Sequence, residues 1–470
     1  MVLATIKLKE ALMALPKPWP VDPLPEIKEE IQKNPVRVFS LDDDPTGSQT
    51  VENVSLLTDW SVESLKQEFD NSQEASFLLL NTRSKTEIEA ESINRQVGKN
   101  LRLASKSCGT KISAVSRSDS TLRGHFPGEV LALADSFMPD YDALLFMAFF
   151  WEGGRYTIND IHYVLDGDTL TPVGQTSFAR DAAFAYKSSN LKDWMEEKFD
   201  RKIRSNEVAS ISIENIREGG PDRVLDILMS LEEKKICIIN AAEMRDVDVF
   251  TLACLRAEAK GKQFIYRTTA SFIRSRIGQD EHPLLTSKDM VSSGTAGGLI
   301  VVGSHVPSST DQLNELLKLP CVEGINVDVE SVLSDSPELI SSITNSIDDA
   351  LSSSRDVVIY TSRDVITGSS PEEYLKIGSK ITDTLAEIVG NQKIKPRYII
   401  SKGGTTSEKL LINAMGVKKA IVPGQILPGV LVLELGQEAK YPGLRMVLFP
   451  GNVMGSTSIA NIVKDLRNNE

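Results

Sequence analysis

The chain has 470 residues, too many for one ordinary core, and its 41% hydrophobic and 25% charged content is that of a globular protein with two domains. Its 52 basic and 65 acidic residues leave a net charge of −13, which argues against a nucleic-acid surface. No apolar stretch reaches the roughly 18 residues a membrane helix needs. The four cysteines, Cys108, Cys237, Cys254 and Cys321, are scattered without a CxxC spacing, which excludes the usual zinc and disulfide frameworks and favours a reducing, cytoplasmic setting.

Met1 to Pro35 mixes lysine and glutamate with six prolines and lacks the apolar core of a secretory signal. It is either an arm that packs on the body, or against a partner subunit, or a flexible tail. From residue 36 short apolar runs alternate with amphipathic stretches. Val36–Leu41, Ser76–Leu80, Ile112–Ser116 and Ala143–Phe149 have the length of buried strands, with helical patterns at Ser61–Phe69 and Glu87–Ala104 between them. Val208–Ile213, Lys235–Ile239 and Phe264–Arg267 continue the series. This alternation predicts βαβ units and a mostly parallel sheet.

The first strand runs into Asp42-Asp43-Asp44-Pro45-Thr46-Gly47. Three carboxylates at a strand mouth repel one another, and burying them unpaired would cost several kcal/mol. In α/β proteins ligands sit at the carboxyl ends of strands. The plain alternative is a solvated turn, since Asp, Pro and Gly all favour turns. The next strands end in Asn81-Thr82-Arg83-Ser84 and in Arg117-Ser118-Asp119-Ser120-Thr121-Leu122-Arg123-Gly124-His125. In a parallel sheet all three clusters converge on one edge. Arg83, Arg117 and Arg123 beside acids and hydroxyls suit a small, acidic, polyhydroxylated ligand, because Arg grips a carboxylate bidentately and Asp can take a hydroxyl proton. Local ion pairs such as Arg123–Asp119 are the structural alternative. Gly153-Gly154-Arg155 follows the next strand, with Arg155 either a further ligand contact or part of a glycine turn under a packed Trp151. His125 and His162 are not at metal-ligand spacing and read as structural.

Ser287 to Gly298 is rich in Ser and Gly and marks a linker, so the expected domains are an extension over 1–35, an α/β domain over 36–290 and a second α/β domain over 291–470. Leu299–Ser304 restarts a strand, and Val357–Thr361, Tyr398–Ser401, Ala420–Val422 and Arg445–Phe449 follow, with helical patterns at Ser308–Leu317 and Gly368–Val389. Glycine-rich strand ends dominate here: Gly303-Ser304, Ser401-Lys402-Gly403-Gly404-Thr405-Thr406-Ser407 and Pro450-Gly451-Asn452-Val453-Met454-Gly455. Paired glycines let backbone N–H groups wrap an anion, and helix starts favour phosphate. Neither the Walker A spacing nor the Rossmann fingerprint is present. Pro423–Val430 reads as a Pro/Gly turn that could wall an adenine or ribose.

Together these segments resemble the four-carbon acid sugar kinase family, in which a sugar-acid-binding domain precedes a nucleotide-binding domain. The match rests on Asp42–Gly47, Ser116–Gly124, Gly403–Thr406 and Pro450–Gly455, in that order, and spans roughly residues 36 to 460. The resemblance implies an ATP- and Mg2+-dependent enzyme that phosphorylates the terminal hydroxyl of a tetronate such as threonate, erythronate or an oxo-tetronate. It implies Asp43, Asp44 and Asp119 as catalytic carboxylates, one of which orients or deprotonates the hydroxyl. Thr46, Gly47, Thr82, Arg83, Arg117, Ser120 and Arg123 would line the sugar-acid site, with Arg83 and Arg117 on the substrate carboxylate. Ser304, Gly403, Gly404, Thr405, Thr406, Gly451 and Asn452 would contact ATP. No metal ligand is assigned, and a homodimer is the default assembly. The chain departs from the family pattern in three places: His305-Val306-Pro307 after Ser304, Thr405 where an acid is common, and the N-terminal extension. A sugar-acid sensor without ATP chemistry, or another ATP-using enzyme such as a carboxylate-activating ligase, is the alternative.

Overall fold

The computed structural model describes residues 3–45, 47, 48, 50–70, 74–290, 294–303, 306–363, 371–451 and 454–467. The chain divides into two compact units, residues 1–55 with 59–281 and residues 56–58 with 282–470. Each is an α/β unit with a mostly parallel sheet flanked by helices, the architecture that the alternation of apolar runs and amphipathic stretches predicts.

In the first unit parallel strands follow the order Ala209–Ile211, Lys235–Ile239, Ala143–Phe146, Phe264–Thr268, Ile112–Arg117, Arg37–Asp42, Ala75–Leu79. Val38, Phe39, Leu41, Phe77 and Leu78 are fully buried, as expected for strands covered on both faces. The helix Glu87–Cys108 starts with a Thr86–Glu89 capping box and stops at Gly109, whose φ of +66° suits glycine. Its Val97, Leu101 and Ala104 are buried. An antiparallel sheet of Ile6–Lys7, Thr169–Pro172, Ile161–Asp166 and Arg155–Ile158 adds to this unit. The extension also belongs to it: Ile27, on the helix Leu24–Lys33, packs with Leu252 and Leu255.

In the second unit the strands Arg445–Phe449, Ile399–Lys402, Leu299–Val302, Asp356–Thr361 and Val322–Val327 are parallel neighbours in that order. Ile300, Val302, Val358, Ile400 and Val447 form its core. Lys419–Leu427 and Val430–Leu435 make a hairpin on one side of it. The expected Pro423–Val430 turn is therefore mostly strand. The chain passes through Pro423-Gly424 by a register shift, where a missing N–H is tolerated, and turns at Pro428-Gly429. Among the described residues no helix is long and apolar enough to cross a membrane.

Candidate functional site

Arg37–Asp42 lies between Ala75–Leu79 and Ile112–Arg117, all parallel, so the three polar clusters end side by side. The register pairs Asp42 with Arg117 on one side and with Leu79 on the other. The acids and arginines interlock. Arg117 Nη1 lies 2.9 Å from Asp44 Oδ1 and 3.5 Å from Asp43 Oδ1. Arg83 Nη2 lies 3.2 Å from Asp43 Oδ1 and also pairs with Asp44, and its Nη1 reaches Asp119 Oδ1 at 3.5 Å. Arg123 Nε donates to Asp119 Oδ2 at 2.7 Å, and its Nη1 lies 3.6 Å from Asp181. Thr121 also donates to Asp119. The like-charge crowd at the strand mouth is thus offset by cations from the neighbouring strand ends.

The acids are not equivalent. Asp42 is buried, and burial pushes its carboxyl up to about 7 against the pull of Arg117 and a 2.7 Å hydrogen bond from Ser40. Gly47 packs directly on it, and a Cβ at Gly47 would overlap the Asp42 carboxylate. Asp43 is buried, and its Oδ2 has no hydrogen-bond partner among the described residues. Burial also opposes ionisation of Asp119, but Arg83 and Arg123 outweigh it and hold this carboxyl well below the usual range. Asp119 opens a loop in which Leu122 takes a left-handed φ of +67°, a conformation that persists only where the surroundings enforce it.

The other expected substrate residues divide by what they touch. Thr82 is buried and donates its hydroxyl to Glu129 Oε2 at 2.8 Å, so it fastens the floor of the basin. The backbone of Ser120 is held by His162, whose Nε2 donates to the Ser120 carbonyl at 2.8 Å. Burial lowers the His162 pKa to about 4, and its ring is satisfied by Ser120 and Thr157, as the structural reading expects. His125 Nε2 lies 2.8 Å from the Lys85 carbonyl. Thr46 lies outside the described residues.

Sequence reasoning missed Glu129 and Arg267, a buried pair 2.6 Å apart under the basin. It also missed Phe178, whose ring carries both Arg123 and Arg155. The charged end of the strand Phe264–Thr268 was the available signal for Arg267. Phe178 lies in a short 3-10 turn that carries no periodic pattern.

In the second unit the ends of Arg445–Phe449, Ile399–Lys402 and Leu299–Val302 adjoin, which brings the glycine-rich loops together. Gly403 has a φ of +107°, and Gly404 starts the helix Gly404–Lys409. Thr406 is buried and Thr405 exposed. A side chain at Gly303 would collide with Thr406, so this glycine allows the two loops to touch. Lys402 is buried, donates to the Pro450 carbonyl at 2.6 Å and lies over the Phe449 ring. The Gly451 carbonyl accepts from Ser308 and Ser309, each at 3.4 Å. Ser304 and Asn452 lie outside the described residues. A cavity of about 480 Å³ is lined by Leu285, Ile426, Leu427, Ser458, Asn461 and Asp465, among others. Among the described residues no group of three or more His, Cys, Asp or Glu could hold a metal ion.

Two family profiles match the chain: a sugar-binding N-terminal domain over residues 38–276 and a nucleotide-binding C-terminal domain over residues 299–459. Among solved structures, the Haemophilus influenzae protein HI1011 is similar at a TM-score of 0.62 and 16% identity, covering 91% of this chain and 100% of its own. A Salmonella typhimurium LT2 protein described as a candidate tRNA synthase is similar at a TM-score of 0.66 and 13% identity, covering 92% of this chain and 99% of its own. At these identities the likeness is one of fold. A search of curated protein sequences finds no match.

Proposed function

We propose, from the premise that this chain belongs to the two-domain family of four-carbon acid sugar kinases, that it transfers the γ-phosphoryl group of ATP to the terminal hydroxyl of a small sugar acid. The observation that carries the reading is the interlocked basin of Asp43, Asp44, Asp119, Arg83, Arg117 and Arg123 at adjacent parallel strand ends. A basin rich in both signs binds a ligand that is itself an acid bearing hydroxyls.

Phosphoryl transfer asks a protein mainly for positioning and charge stabilisation. Arg83 and Arg117 hold Asp43 and Asp44 in place and set a positive field for the substrate carboxylate. Asp43 is the acceptor for the attacking hydroxyl: its Oδ2 is buried and lacks a donor among the described residues, and a substrate O–H would supply one. Asp44 and Asp119 orient the neighbouring hydroxyls. In the second unit the Gly403-Gly404 backbone, with Thr405, Thr406 and Gly451, would hold the triphosphate. The cavity beside Ile426 and Leu427 has a volume suited to the adenosine. Magnesium would arrive as Mg·ATP, held largely by phosphate oxygens and water, with the exposed Thr405 hydroxyl as the kind of ligand a protein adds.

The test is an ADP-release screen over threonate, erythronate and oxo-tetronates. ADP formed only in the presence of one of these acids supports the reading. AMP release would favour a ligase. Thermal stabilisation by a sugar acid, with no effect of Mg·ATP and no turnover, would favour a sensor.

A further inference from the structure

The arginines of the basin differ in whether a carboxylate already holds them. Arg83 and Arg117 pair with Asp43, Asp44 and, through Arg83, Asp119, while Arg123 pairs with Asp119 and Asp181. Arg267 pairs with Glu129. Arg155 has no carboxylate partner among the described residues. Its Nη1 donates to the Gly153 carbonyl, and its Nε, like that of Arg117, is buried with no hydrogen-bond partner among the described residues. Leaving a buried donor unsatisfied costs about 1–3 kcal/mol and more for a charged group, so an acceptor is called for.

The placement is built. Phe150 and Arg155 exchange backbone hydrogen bonds of 3.1 and 2.9 Å, and the strand Arg155–Ile158 pairs with Ile161–Asp166. The turn between them closes tightly at Gly154, where φ is +68° and Leu165 lies against the backbone. The guanidinium stands over the Phe178 ring at 5.6 Å, and Arg123 shares that ring at 5.1 Å. The stretch bearing Phe178 is tied to the Asp119 loop, because Tyr186 donates its hydroxyl to the Thr121 carbonyl at 2.7 Å and its backbone N–H to Ala179. Arg155 therefore stands beside Arg123 and feels the field of Asp119.

We propose that Arg155 is the residue that grips the carboxylate of the substrate, through its Nε–Nη2 edge, and that it selects acid sugars over their neutral counterparts. The inference rests on the sugar-acid reading above. Arg83 and Arg117 are already held by Asp43 and Asp44 and contribute field, and Arg155 contributes a guanidinium that no carboxylate among the described residues holds.

The test compares Arg155→Gln and Arg155→Lys with the wild type, each first melted without ligand. Calorimetry gives the dissociation constant of the sugar acid without nucleotide, and steady-state assays give KM and kcat for the acid and for its amide. Arg155→Gln is expected to raise Kd and KM for the acid by about 10- to 100-fold, the worth of a charge-assisted pair, with a smaller change in kcat. The preference for acid over amide should collapse, and Arg155→Lys should recover part of it. Unchanged Kd and KM, or equal losses for acid and amide, overturn the assignment. If Arg155→Gln does not fold, Arg155→Lys decides alone: an unaltered KM overturns the proposal and a raised one supports it. A wild type that binds no sugar acid and releases no ADP would instead overturn the function and this inference together.

Discussion

Glu129 Oε1 and Arg267 Nη1 lie 2.6 Å apart, both side chains 2% exposed, and join the helix Gly128–Phe137 to the strand Phe264–Thr268. Thr82 donates to the same carboxylate, and Arg267 Nη1 donates to the Ser116 hydroxyl at 2.7 Å, so the pair ties together the elements beneath the acid–arginine basin. Removing one partner strands a buried charge. Arg267→Met should therefore lower the unfolding free energy of the first unit by about 3–5 kcal/mol. Glu129→Gln/Arg267→Met together should lose less than the sum of the single changes. Urea unfolding of the three variants measures both. Additive losses would mean that the pair is not coupled.

Asp44 and Asp119 are each held by two arginines, which fixes the position of their carboxylates. Asp44→Ala and Asp119→Ala should each reduce turnover of the sugar acid by roughly tenfold or more, as loss of a group that orients or accepts the proton does. Binding of ATP should persist, because the glycine loops belong to the other unit. Turnover assays beside nucleotide titrations check this. Retention of wild-type turnover by both variants would remove these carboxylates from the chemistry.

Much of this site is legible in the order of residues along the chain. The runs Val36–Leu41 and Ile112–Ser116 are apolar because both faces of a parallel strand are covered, and that same feature makes them conspicuous. Polar clusters at their ends must converge once the sheet is parallel. The pairing within the basin is not legible in the same way. Asp119 and Arg123 are close in sequence, but Arg83 meets Asp44 only because Arg37–Asp42 sits beside Ala75–Leu79. The hairpin Arg155–Asp166, which carries Arg155, has its one sequence signal in the Asn159-Asp160 tip. Both residues have positive φ, as a tight hairpin turn demands. Pro423-Gly424 misleads in the other direction, since a register shift lets a strand pass through residues that usually end one.

Asp42 makes stability depend on pH. Its folded pKa, raised by burial to about 7, exceeds the unfolded value of about 3.9. The protonated form is thus the one the fold prefers. The stabilisation is complete below the unfolded pKa and is lost as pH rises through about 7. The melting temperature should fall between pH 5 and pH 8, and Asp42→Asn, which cannot ionise, should flatten that slope. Thermal scans of both proteins across this range decide it, and parallel curves would sink the idea.

Lys402 joins two of the glycine-rich loops proposed to hold the triphosphate. It is buried, so its influence runs through its charge and through its 2.6 Å bond to the Pro450 carbonyl, which ties the Gly403 loop to the Gly451 loop. Burial lowers its pKa to about 8. Below that pH the ammonium is present and would favour a triphosphate bound at the proposed loops. Above it the charge is lost and the tether weakens. ATP affinity should therefore fall roughly tenfold between pH 7 and pH 9.5, the scale of one charge-assisted interaction. Lys402→Met should bind weakly throughout with little pH dependence, and Lys402→Arg should hold its affinity at high pH. Nucleotide titrations by calorimetry at several pH values measure this. A Lys402→Met profile that still falls with pH would assign the dependence to another group.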